Sequence, residues 1–304
     1  MAVYELHYQT YEGPRRGAVS RWFAIARYAW MGLLGRRAMV QLFTLSWFQF
    51  VIRLTLLYLL VNKSMLALLE SFGLGGLPKL ITIDTFFFKT MIDWQLPFCF
   101  LFVFILGSGL ISQDLSHNAL VLFAAKPISR WEYILGKFAT LFLLLMSLTW
   151  VQTALLFFIQ WGISPAGSEW ATNFWSNYAW LIIPITLYSV VISATLSLMI
   201  LTFSSLTRNG RYAGVAFAAT IIGLSIMAEV LHEEVGRMGV IQSSDWRAIS
   251  PMAIGHEIGD WLFNMTPGAH SIRPGVAWMA LAAIWAACAT ILKVRLNQSA
   301  SKGA

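Results

Sequence analysis

Residue types able to carry chemistry are sparse in this chain, and their spacing removes most reactions from consideration. His256-Glu257 in "GHEIGD" supplies half of the zinc-protease helix H-E-x-x-H, but Asp260 stands where the second histidine belongs. The same histidine is missing from "LHEEVG" at 231–236. A membrane-embedded enzyme using His256, Glu257 and Asp260 is therefore the alternative reading, not the leading one. Gly136-Lys137 is followed by phenylalanine and lacks the upstream glycine of G-x-x-x-x-G-K-[ST], so it makes no phosphate cradle. Cys99 and Cys288 both fall in apolar runs, with neither a disulfide framework nor zinc spacing. No cofactor or metal is expected on this chain.

What remains is the chemistry of charges placed in or beside a membrane. Arg53 lies in the outer part of an apolar run, ~13 Å short of Asn62 at 1.5 Å per residue, within partial reach of the interface by snorkelling. An arginine at that depth either pairs and snorkels or lines a path through the membrane. Asp93 and Glu229 are its prospective partners. The densest group of charges is "AAKPISRWEYILGK", Ala124 to Lys137, where Lys126, Arg130, Glu132, Tyr133 and Lys137 crowd between two long apolar runs.

The elements that must position these groups are helices across a bilayer. The 304 residues are 58% hydrophobic and 12% charged, with a mean hydropathy of +0.67, against about 45–50% apolar in a soluble domain. Runs of roughly 20 apolar residues predict six spans, at 41–61, 93–113, 137–161, 179–206, 211–231 and 273–293. Residues 1–40 read as a tail and an interfacial helix, and 294–304 as a second tail. From Val19 to Gly35, Trp22, Ile25, Ala26, Ala29 and Leu33 share a stripe while Arg21 and Arg27 lie off it, which suits a helix in the interface plane. Pro97 and Pro184 fall within spans two and four, where proline removes a donor and bends the helix. Ser250-Pro251 opens a short helix in the last outer loop, on or in the outer leaflet.

The net charge of +7 follows this topology. With both termini in the cytoplasm, inner segments hold 14 basic residues and outer segments 6, as the positive-inside rule requires. The excess is therefore one of orientation, with lipid attraction added. Nucleic acid is not an expected partner, and the tryptophans flanking the spans form an aromatic belt.

The charged island has its own mechanics. Ser129 and Glu132 form a capping box, Ile128 and Tyr133 occupy the staple positions, and Pro127 stops the helix before it. A helix then begins at about Arg130 and runs into span three. Ahead of the break, "DLSHNALVLFAA" forms two or three turns with Asp114, Ser116, His117 and Asn118 on its polar side. The product is a cytoplasmic helix–break–helix hairpin tied to two spans.

"GLISQDLSHNALVLFAAKPISRWEYILGK" resembles the inner loop of type-2 ABC exporter permeases, and "RRGAVSRWFAIARYAW" is similar to their interfacial helix. Asp114 stands where glutamate is common in that family, and Ser116-His117-Asn118-Ala119-Leu120 replaces a Gly-Thr-Leu-like continuation. The resemblance implies an all-α polytopic fold of six spans in a bacterial inner membrane, working as a dimer with a second permease chain, the same or related. It implies that the 112–137 loop is a coupling helix seated on separate ATP-binding subunits, which would hold ATP and Mg. Asp114, His117, Asn118, Lys126, Arg130, Glu132, Tyr133 and Lys137 would then contact those subunits. Asp114, Arg130 and Glu132 are expected in ion pairs, and Tyr133 as an anchor. Spans one, two and five would line the substrate path. A non-transporting membrane anchor or assembly factor is a further alternative.

Overall fold

The structure, a computed structural model, describes residues 18–35, 37–62, 64, 71–72, 84–117, 130–164, 172–237, 244–268 and 271–301. Among them every regular element is helical, and six helical segments are long and apolar enough to cross a membrane. The chain is an integral membrane protein of the multi-pass kind. Residues 118–129, which hold the first six residues of the island and most of the helix expected before it, lie outside the described residues, as does the Arg130 side chain.

A first helix, α1 (Ala18–Leu34), precedes the spans. Span one is α2 (Arg37–Val61). Span two is assembled from α3 (Thr85–Asp93), α4 (Leu96–Phe102) and α5 (Gly109–Ser116). Span three is α6 (Arg130–Ile163), span four is built on α7 (Ile182–Leu206), and span five is α8 (Gly210–Arg237). Helix α9 (Pro251–Leu262) precedes span six, α10 (Pro274–Ser301).

Span two begins at Thr85 and not at residue 93. Asp84 caps α3, its side chain accepting from the Phe87 amide at 3.2 Å. The charges that end an apolar run at Asp93 are neutralised within the helix, because Lys89 Nζ sits 2.8 Å from Asp93 Oδ2 one turn away. Pro97 sits at the start of α4, after a turn at Trp94–Gln95, and this is where the span breaks. Pro184 lies in the first turn of α7, after a 3₁₀ turn at Ala179–Leu181, where a missing amide costs little. It does not bend the middle of span four.

The broken span is spliced by a neighbour. One π-helical turn, Val103–Gly107, separates α4 from α5. Ser204 of α7 accepts from the amides of Ile111 and Ser112, each at 3.0 Å, and donates to Ser108 O at 2.8 Å. Such hydroxyls restore backbone hydrogen bonds where no water is present.

Spans two, three and four form the centre. In their most apolar stretches 61%, 50% and 61% of residues are buried, against 17%, 22% and 22% for spans one, five and six. Phe102, Leu106, Leu144, Leu148, Ile200 and Phe217 pack one half of this core. Phe88, Phe157, Ile185 and Tyr188 pack the other half.

Helix α1 lies against the start of α6. Ala26 is buried, Trp22, Ile25 and Ala29 are half-buried, and Arg27 is exposed, so the expected stripe is the packed face. The Trp30 indole donates to Thr140 O at 2.9 Å. Gly136 permits the close approach: a Cβ there would meet Ile25 Cβ at 2.8 Å and Trp22 O at 3.0 Å.

Candidate functional site

Polar side chains converge at three levels along the core. The first is the junction flanking the charged island. Asp114, at the end of α5, sits 2.7 Å from Lys137 Nζ in the second turn of α6. The Tyr133 hydroxyl donates to the same Asp114 oxygen at 2.7 Å. Lys137 Nζ also lies 5.6 Å from the Tyr133 ring centroid, within cation–π range. Three residues therefore lock the ends of spans two and three on either side of the intervening segment. Charge-assisted bonds of this kind are about twice as strong as neutral ones.

This geometry gives residues expected at a partner contact bonds within the chain. Tyr133 is only 2% exposed, and its hydroxyl holds Asp114 inside the chain. Asp114 and Lys137 are paired with each other. His117 is exposed at the end of α5, its Nδ1 2.8 Å from Gln113 O. Glu132 is half-buried in the first turn of α6. Asn118, Lys126 and Ser129 fall outside the described residues, so the Ser129–Glu132 capping box does too; the helix itself begins at Arg130.

The second level is the middle of the core. Ser46, Gln95 and Gln152, one from each of the first three spans, are fully buried and bonded to one another. Ser46 donates to Gln95 Oε1 at 2.9 Å, Gln95 to Gln152 Oε1 at 2.5 Å, and Gln152 to Ser46 Oγ at 3.1 Å. The turn before Pro97 places Gln95 here. In hydrocarbon such a closed ring is the low-cost arrangement, since each unmet amide group would be expensive.

The third level lies at the opposite end from Asp114. Lys89 reaches Asp93 at 2.8 Å and Asp260 of α9 at 3.0 Å. Tyr188, fully buried in α7, donates to Asp93 Oδ1 at 2.5 Å. His256 Nδ1 lies 3.8 Å from the same oxygen. Gly259 lets α9 rest on the Tyr188 ring, as a Cβ there would meet Cζ at 2.7 Å. Spans two and four and helix α9 are thus joined by one lysine between two aspartates. Beside them, burial pushes the Glu257 carboxyl above the usual range, with Asp260 adding to the effect. Asp260 belongs to this ionic junction and His256 and Glu257 lie beside it; among the described residues no group of three or more His, Cys, Asp or Glu is placed to hold a metal.

Arg53 does not take either prospective partner. Its Nη1 donates to Phe87 O at 3.2 Å and to Thr90 Oγ1 at 3.1 Å, and its guanidinium lies 5.1 Å from the Phe87 ring centroid. Asp93 is taken by Lys89 and Tyr188, and Glu229 lies 3.2 Å from Arg247 Nε. Arg53 therefore ties span one to span two through backbone, hydroxyl and π-face.

A second clip closes the α9 region. Asp245 accepts from the Arg273 amide and guanidinium, and those bonds hold its carboxyl below the usual carboxylate range. Ser250 caps α9 by accepting from the Ala253 amide at 3.2 Å, as the Ser-Pro pair predicts.

A comparison with models of known protein families finds no match for this chain, and none is found among curated proteins.

Proposed function

We propose that this chain is the permease subunit of an ATP-driven exporter of the type-2 ABC kind, oriented with both termini in the cytoplasm of a bacterial inner membrane. It acts as a dimer with a second permease chain, and separate subunits bind ATP and Mg. The observation that carries the reading is the Asp114–Lys137–Tyr133 junction. It clamps both ends of the segment that resembles a coupling loop, so that a push on residues 118–129 reaches spans two and three together. The seating of α1 on Gly136 adds a third helix to that unit. Those two spans hold the central core, so their displacement reaches the Gln95 ring and the Lys89 junction beyond it.

On this reading the partner-facing charges are those outside the clamp, with Arg130 and Lys126 foremost. On this reading the energy comes from ATP hydrolysis in the partner. The test is purification of the full chain from its native membrane in mild detergent, with mass spectrometry of what accompanies it. A P-loop ATPase at one copy per permease is the expected companion. Cysteines at Ser168 and Ser243 should label from outside intact cells and one at Ser301 should not; the reverse pattern inverts the proposed orientation.

A further inference from the structure

A groove opens between span two and the short connection joining spans four and five, at the same end as the Asp114 junction. It encloses about 1170 Å³ including its open mouth. Its floor is the contact of α5 with α8, where a Cβ on Gly210 would meet Gly109 Cα at 3.1 Å. Arg208 and Arg211 stand at the rim with Gln113, Ser116 and Asn209, and no carboxylate lines it among the described residues. Neither arginine has an acidic partner within ion-pair range among those residues; Asp114, at the same end, is paired with Lys137. The wall holds Ser108, 7% exposed. Below it the lining turns apolar: Ile105 is 42% exposed and Val215 58% exposed, and both continue onto open faces of spans two and five.

We infer that this groove binds the headgroup of an anionic phospholipid, with the phosphate between Arg208, Arg211 and the Ser108 hydroxyl and the chains along Ile105 and Val215. Two guanidiniums on a lining without carboxylates, a serine hydroxyl on the wall and an apolar exit along the spans make an amphiphilic site for a phosphate ester. A soluble phosphate compound shares the head chemistry but gains nothing from the apolar walls. A zwitterionic lipid brings its own cation to a rim that already holds two. The inference does not rest on the transport reading.

The experiment equilibrates the full chain with vesicles holding equal parts phosphatidylglycerol and phosphatidylcholine, then counts lipids retained after purification by native mass spectrometry. The wild-type chain should retain phosphatidylglycerol selectively, and each of Arg208→Gln and Arg211→Gln should lower that retention about five-fold. Ser108→Ala, which leaves all charges in place, should lower it as well. Arg295→Gln, a basic residue of the carboxy-terminal helix, should leave it unchanged. Loss in the Arg295 variant equal to that in the Arg208 variant would mean diffuse attraction to anionic membranes and overturn the site. Displacement of the lipid by millimolar inorganic phosphate would overturn the lipid assignment in favour of a soluble phosphate. If the arginine variants fail to elute as folded protein, unchanged retention in Ser108→Ala is enough to reject the proposal.

Discussion

Asp114 and Lys137 face each other across 2.7 Å, the last turn of span two against the first turns of span three, with the Tyr133 hydroxyl on the same carboxylate oxygen. The pair is 22% and 12% exposed, respectively, dry enough for the interaction to matter and wet enough that neither charge is stranded. Its position makes it a brace for whatever the segment between them contacts.

Breaking the brace should be measurable in the isolated chain. Asp114→Asn and Tyr133→Phe should each lower stability in detergent by about 1.5–3 kcal/mol, the range for a hydrogen bond to a charged group. A double-mutant cycle of Asp114→Asn with Lys137→Met should give a coupling of at least about 0.5 kcal/mol. Additive effects would show that the two side chains are neighbours without being partners.

At the far end, Lys89 and Asp260 should be unequal. Lys89→Met leaves Asp93, which is 14% exposed, without its cation, and a stranded buried charge costs about 3–5 kcal/mol. Asp260 is 41% exposed, so Asp260→Asn should cost about 0–1 kcal/mol, the range for a surface pair. Thermal unfolding of the two variants decides it, and equal losses contradict the geometry.

The seating of α1 depends on one missing methyl group. Gly136→Ala would place Cβ against the Ile25 side chain and the Trp22 carbonyl, which belongs to rigid backbone. Overpacking of this kind costs about 1–3 kcal/mol. We expect α1 to lift from span three, with protease cutting between Trp22 and Arg37 and the spans intact. Protection equal to wild type would show that α1 tolerates the shift in place.

The Asp245–Arg273 clip gives a pH dependence of known sign. The carboxyl titrates below its ordinary value when folded, so it favours the folded state above the unfolded carboxylate value of about 3.9. That contribution disappears as pH falls through the lower folded value. Hydrogen exchange in residues 244–249 should therefore be slow near neutrality and rise below about pH 4. Asp245→Asn should remove the dependence; an unchanged pH profile in that variant assigns the loosening to another group.

The six spans and the stripe of α1 were legible because long apolar runs and helical periodicity are local signals. Ser250-Pro251 announced α9 for the same reason. The start of span two was not, because Lys89 and Asp93 look like an interfacial end in a hydropathy window but cancel each other one turn apart. Arg53 was recognisable as unusual, yet its ligands are a carbonyl, a hydroxyl and a ring, which carry no charge to search for. Ser46, Gln95 and Gln152 are single polar residues in separate apolar runs, and nothing but the packing of three helices brings them together. Lys89 and Asp260 are far apart in sequence, so a lysine near an outer loop read as a topology signal. The Asp114 junction was half visible. The sequence shows that its charges cluster, but not that Asp114, Tyr133 and Lys137 bond to one another.

On the proposed function, residues 112–137 seat an ATP-binding subunit. The most direct measurement is the copy number of ATPase purified with the full chain in three forms: wild type, Arg130→Glu, and Arg295→Glu. Full retention is expected with the wild-type and Arg295→Glu chains. Arg130→Glu should lose the ATPase while still inserting in the membrane, because removing one member of a desolvated charge pair costs about 2–5 kcal/mol. Equal retention in the two variants, or no ATPase with the wild-type chain, would contradict it.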